Sequence, residues 1–93
     1  MMNVKNELLC KMKRALGFPV SAAPAESFLA YRNLFLSRGR PDGDWENLVR
    51  SGYATRLGEE YVGRVAYALS REGIGLLEEI LCCRIRLLAA LQN

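Results

Sequence analysis

Histidine is absent from this chain. That removes the commonest metal ligand and the commonest general base near neutral pH, so zinc-type sites and serine or cysteine triads lose their central residue. Cysteine is scarce: of three, Cys82 and Cys83 are adjacent and Cys10 stands far from them, a spacing of neither a disulfide framework nor a metal-ligand set. The three read as small apolar core residues in a reduced setting. No uninterrupted apolar run reaches the length of a membrane span, and the first residues carry charges where a signal peptide has its apolar stretch. Gly39, Gly43, Gly73 and Gly75 are scattered and form no phosphate-cradling loop. The paired acids Glu59 with Glu60 and Glu78 with Glu79 fall on a turn and a helix face, where solvated charge explains them. Ser51 and Ser70 are explained as turn and cap residues. The expectation is a protein that is not an enzyme, holds no metal or cofactor, makes no membrane contact and works in the cytoplasm.

Charge of one sign is also in short supply. With 13 Lys plus Arg against 10 Asp plus Glu the net charge is +3, far from a dense basic stripe. Its distribution is uneven: residues 1 to 40 carry seven cations and two anions, and residues 41 to 93 carry six and eight. Hydrophobic residues make up 51% of the 93 residues, enough for the core of one small domain whose burial a second copy or a partner often completes.

In chain order, Asn3 can cap a helix over 4–16, with Val4, Leu8, Leu9, Met12 and Leu16 on one face and Gly17 as its stop. FPVSAAPAES, with two of the three prolines, reads as a loop. Phe28, Leu29, Tyr31, Leu34 and Phe35 form an apolar patch, read as a short helix or extended segment plugging the core. SRGRPDGD is an exposed turn with Arg38 and Arg40 at its tip. Asp42 or Asp44 caps a short helix that buries Trp45, Leu48 and Val49 and ends at Gly52. Tyr53 to Leu57 and Tyr61 to Leu69 read as two strands of a hairpin. Ser70 caps a last helix over 71–91, with one stripe of Ile74, Leu77, Leu81, Ile85 and Leu88 and a second of Leu76, Ile80, Cys83, Leu87 and Ala90. A monomer of this size normally buries one such stripe, so Leu76, Ile80, Cys83 and Leu87 are expected to form an interface between two copies. The fold expectation is α+β, mainly α: one winged-helix-like domain over 1–93, its core at 28–81, with a two-stranded β-hairpin and a long C-terminal helix.

The phrases LVRSGYATR and YALSREGIGLLEE, and with them YRNLF at 31–35, DWENLVRSGYATR at 44–56 and ALSREGIGLLEE at 68–79, are similar to small winged helix-turn-helix-like proteins carried by phages and prophages. The resemblance spans Leu16 to about Leu81. In such a fold the second helix of the motif enters the major groove. Here that helix begins with Asp42, Asp44 and Glu46, which would meet phosphates spaced about 1.7 Å apart along the duplex. Two expectations follow. The first is a phage-type protein acting by protein–protein contact, an inhibitor of a host defence complex of the CRISPR–Cas type, in which Asp42, Asp44, Glu46, Glu59 and Glu60 engage a basic channel with Trp45 and Tyr61 as anchors. The alternative is a winged-helix DNA-binding transcriptional regulator, dimeric through its last helix, holding DNA with Arg38, Arg40, Arg50, Arg56 and Arg64.

Overall fold

A computed structural model of the chain describes residues 6–18, 27–57 and 64–88. Its elements are α1 (Asn6–Leu16), β1 (Ser27–Ala30), β2 (Phe35–Arg38), α2 (Gly43–Arg50), β3 (Ala54–Arg56), β4 (Arg64–Leu69), α3 (Arg71–Leu81) and β5 (Arg84–Leu87). β2, β4 and β3 form an antiparallel sheet in that order, and β1 and β5 form a separate parallel pair. The molecule is α+β, with two sheets where the sequence reading had one hairpin.

The helices form where caps and apolar spacing agree. α1 buries Leu8, Met12, Ala15 and Leu16, one stripe at three-four spacing. Gly17 closes it: the Gly17 and Phe18 N–H groups donate back to the Arg14 and Lys13 carbonyls. The Asp42 side chain accepts from the Trp45 N–H at the start of α2, and Ser70 accepts from the Gly73 N–H at the start of α3. The polar residues inside the aromatic patch have structural employment. Arg32 donates twice to the Arg14 carbonyl at the end of α1, and the Asn33 amide exchanges two hydrogen bonds with the Leu69 backbone, standing in for a strand beside the end of β4.

Phe35 on β2 and Tyr67 on β4 are directly paired, and Trp45 of α2 stacks on both rings, with centroids 5.2 Å from Phe35 and 5.7 Å from Tyr67. Met12, Leu16, Leu48 and Leu77 complete the deepest layer. The apolar patch is neither a helix nor one extended segment: Phe28 and Leu29 belong to β1, Phe35 to β2, with an irregular stretch over 31–34 between.

The last helix requires the largest correction. α3 ends at Leu81 because Cys82 takes the left-handed conformation, φ 50° and ψ 46°, and the Cys83 N–H closes on the Glu78 carbonyl. The chain then runs on as β5, whose Arg84 and Arg86 are exposed while Ile85 is buried, the two-residue alternation of a strand. The expected second stripe is therefore divided between two elements. Leu76 and Cys83 are buried in the protein's own core, and Ile80 and Leu87 are half-buried, so no continuous helical face faces a second copy. α2 follows β2 directly, and β1 and β2 stand between it and α1; among the described residues no second helix precedes α2 across the short turn that a helix-turn-helix needs.

Candidate functional site

The acidic start of α2 is tied into the fold. Lys11 of α1 donates to Asp42 at 2.7 Å and to Asp44 at 3.1 Å. The Tyr67 hydroxyl accepts from the Asp42 N–H at 3.1 Å and donates to Glu46 at 2.5 Å, and Arg56 stands 3.8 Å from the same Glu46 oxygen. Burial pulls the Asp42 carboxyl up, but the Lys11 ammonium and the Trp45 and Asp44 N–H groups outweigh it and hold the carboxyl below its ordinary range. Burial likewise pulls Lys11 down, and its two carboxylate partners outweigh that and raise it. Tyr67 is raised by burial first and then by its hydrogen bond to Glu46.

This corrects the expected acidic site. Asp42 and Glu46 face internal cations, and only Asp44 keeps much of its side chain, 42%, open to solvent. Trp45, expected as an anchor for a partner, is fully buried and cannot be presented to one. Its Nε1 is the one buried side-chain donor among the described residues without a hydrogen-bond partner. Such a donor costs about 1–3 kcal/mol, which the two ring stacks and complete burial of the indole offset. Glu59, Glu60 and Tyr61 lie outside the described residues.

The expected cations, Arg38, Arg40, Arg50, Arg56 and Arg64, are all exposed. They do not form one surface from helix and wing. Arg56 leans toward Glu46, Arg50 closes α2, and Arg38 and Arg64 face each other at one end of the β2–β4 ladder. Cys83 is buried as expected, whereas Cys10 and Cys82 are exposed; all three are free thiols. Among the described residues no cluster of His, Cys, Asp and Glu is built to hold a metal ion, and no helix is long and apolar enough to cross a membrane.

What the sequence reading missed is an open cleft of about 1120 Å³ between the two sheets, floored by α3. β3 and β4 line one side, β1 and β5 the other, and Ile74 and Glu78 come from α3. Large apolar side chains are exposed at four places among the described residues, Leu29, Tyr31, Leu57 and Leu88, and three of the four line this cleft. Arg71 and Arg86 also line it, and its single acid, Glu78, already accepts from the Ile85 N–H at 2.8 Å. The surface is thus apolar with a positive rim. The alternation in RIRL was the one local signal for it, masked by its fit to the preceding helical stripe.

Comparison with known proteins gives no match: no family model, no curated protein and no solved structure matches the chain. The functional reading therefore rests on the geometry.

Proposed function

We propose that this is a non-enzymatic binding module that takes a protein partner in the cleft between its two sheets. The observation that carries the reading is the gathering of Leu29, Leu57 and Leu88 in one cleft beside Arg71 and Arg86. Monomeric surfaces scatter such leucines singly; collected within a concave surface they mark a contact site. The charge of the lining selects the occupant: an extended segment whose apolar side chains fill the cleft and whose flanking carboxylates meet the two guanidinium groups. Covering what remains exposed of the three leucines is worth about 2–3 kcal/mol, so the two charged contacts supply selectivity more than strength.

The resemblance to phage-carried proteins makes subunits of a host defence complex of the CRISPR–Cas type the first partners to try. The phosphate-mimicking form of that idea is the weaker one, because Lys11 and Arg56 already neutralise the start of α2. The same contacts count against a regulator that reads DNA with α2, which directly follows strand β2 and not a helix.

The test is a display selection of random peptides on the whole protein, repeated on Leu57→Glu/Arg86→Glu. Peptides mixing apolar and acidic residues should be enriched on the first and bind the second at least tenfold more weakly, with an unchanged melting temperature. Selected peptides without acidic residues, or with undiminished affinity for the variant, would refute the reading.

A further inference from the structure

A second surface carries charge that the fold does not explain. β2 ends at Arg38 and β4 begins at Arg64, and the register sets these two residues directly opposite each other. Like charges at opposed positions of an antiparallel pair, with Cβ atoms about 4.5–5.5 Å apart, destabilise the ladder that holds them. The turn that follows holds the backbone of a third arginine, Arg40, against that of Arg38. The Arg40 N–H donates to the Arg38 carbonyl at 2.8 Å across Gly39, whose φ of 69° lies in the left-handed region. That two-residue closure is a γ-turn of the rare, strained kind, and glycine is the residue that tolerates it. Ser37 secures it by donating to the Arg40 carbonyl at 2.6 Å. All three arginines are exposed, and among the described residues none has a carboxylate within ion-pair distance. The fold thus accepts both an unfavourable cross-strand pair and a strained turn, and the result of both is three exposed arginines at one corner with no ion-pair partner among the described residues.

We infer that this corner, Arg38, Arg40 and Arg64, grips the phosphate backbone of a nucleic acid without reading its sequence. Arginine forks suit phosphate oxygens, and their charge persists at every physiological pH. An acidic protein would ask for apolar anchors among the charges. The exposed large apolar residues of the described chain are Leu29, Tyr31, Leu57 and Leu88, and none of them belongs to β2, to the turn after it or to the start of β4. A surface of charge without anchors matches a polyphosphate chain. Sequence readout is not expected, since α2, the helix that follows this turn, opens with carboxylates. The inference is independent of the cleft, with which the corner shares no residue.

The experiment is an anisotropy titration of a short labelled DNA duplex of mixed sequence with the full chain. With three phosphate contacts on a duplex, binding at about 50 mM salt should weaken about 40-fold by about 200 mM. Arg38→Gln/Arg64→Gln should bind at least tenfold more weakly, whereas Arg14→Gln/Arg84→Gln, which removes the same charge elsewhere, should change affinity less than threefold. Arg38→Glu separates function from fold: it should abolish binding and raise the melting temperature, because a carboxylate now faces Arg64. Absence of binding at the lower salt, equal loss in the charge-matched control, equally tight binding of poly-glutamate, or a lowered melting temperature for Arg38→Glu would each overturn the inference.

Discussion

Gly73 shows how much of this fold is settled by single atoms. It lies in the first turn of α3 against Tyr53, the residue before β3, and a Cβ placed on it would stand 1.9 Å from the Tyr53 carbonyl oxygen. That carbonyl cannot withdraw, because it accepts from the Ser70 N–H while the Ser70 hydroxyl donates to the Gly52 carbonyl. Gly75, two positions on in the same helix, has nothing within 4 Å of a Cβ. The two glycines therefore separate close packing from helix propensity. Gly73→Ala is expected to cost about 3 kcal/mol or more, since backbone must move against backbone. Gly75→Ala is expected to stabilise by about 0.5–1 kcal/mol, the ordinary gain from removing a glycine inside a helix. Urea unfolding midpoints of the two variants check this; shifts of the same sign would show that the start of α3 does not rest on Tyr53.

Among the elements, the ends of α3 differ in how visible they were. Its start was legible, because Ser70 is a cap of recognisable type, as Asp42 is for α2, and Gly17 and Gly52 mark the ends of α1 and α2 as expected. Its finish was not. The chain leaves the helix at Cys82 in a left-handed conformation that residues with a side chain adopt only at a cost of about 1–2 kcal/mol. Four residues of β5 satisfy helical and strand spacing equally well, and the strand they join, β1, lies far back in the sequence, so no local pattern could announce the pairing of Ser27 with Arg84. The cleft was hidden for the same reason: it draws on β1, β3, β4, α3 and β5, and no two of its three exposed leucines are neighbours in the chain. The acidic start of α2 was read correctly as a cap and wrongly as a free surface, because its neutralising cations, Lys11 and Arg56, come from other elements. The left-handed end of α3 gives a direct check. Cys82→Gly should stabilise by about 0.5–1 kcal/mol, the relief of the side chain less the entropy glycine adds to the unfolded chain, while Cys82→Ala should be close to neutral. A lower urea midpoint for Cys82→Gly would mean that the chain does not turn left-handed there.

At the scale of the whole molecule, one polar network joins four elements around the buried Trp45. Lys11 brings in α1, Asp42 and Glu46 belong to the start of α2, Arg56 to β3 and Tyr67 to β4. Its titration sets where on the pH scale the assembly is held together. The Asp42 carboxyl is lowered from its ordinary value of 3.8, so the folded protein binds that proton less readily than the unfolded chain. The stability this provides is complete above the ordinary value and is lost as pH falls through the folded one. Lys11 and Tyr67 are raised from 10.5 and 10.0, so the folded state keeps their protons longer. Their contribution is complete below those values and is lost as pH rises through the raised ones. Lys11 takes part in both limits, since protonating Asp42 or deprotonating the Lys11 ammonium breaks the same pair. Lys11→Met, which keeps the packed stem and removes the charge, should therefore cost about 1 kcal/mol near neutral pH, in line with a part-exposed ion pair. Against the wild type that difference should shrink both as pH falls well below the ordinary Asp42 value of 3.8 and as it rises well above the ordinary Lys11 value of 10.5, because groups outside the network titrate alike in the two proteins and cancel. Urea unfolding of both proteins at the three pH values measures it, and a difference that stays constant across the range would show that Lys11 stabilises through its methylenes alone and that α1 is not joined to α2 by charge.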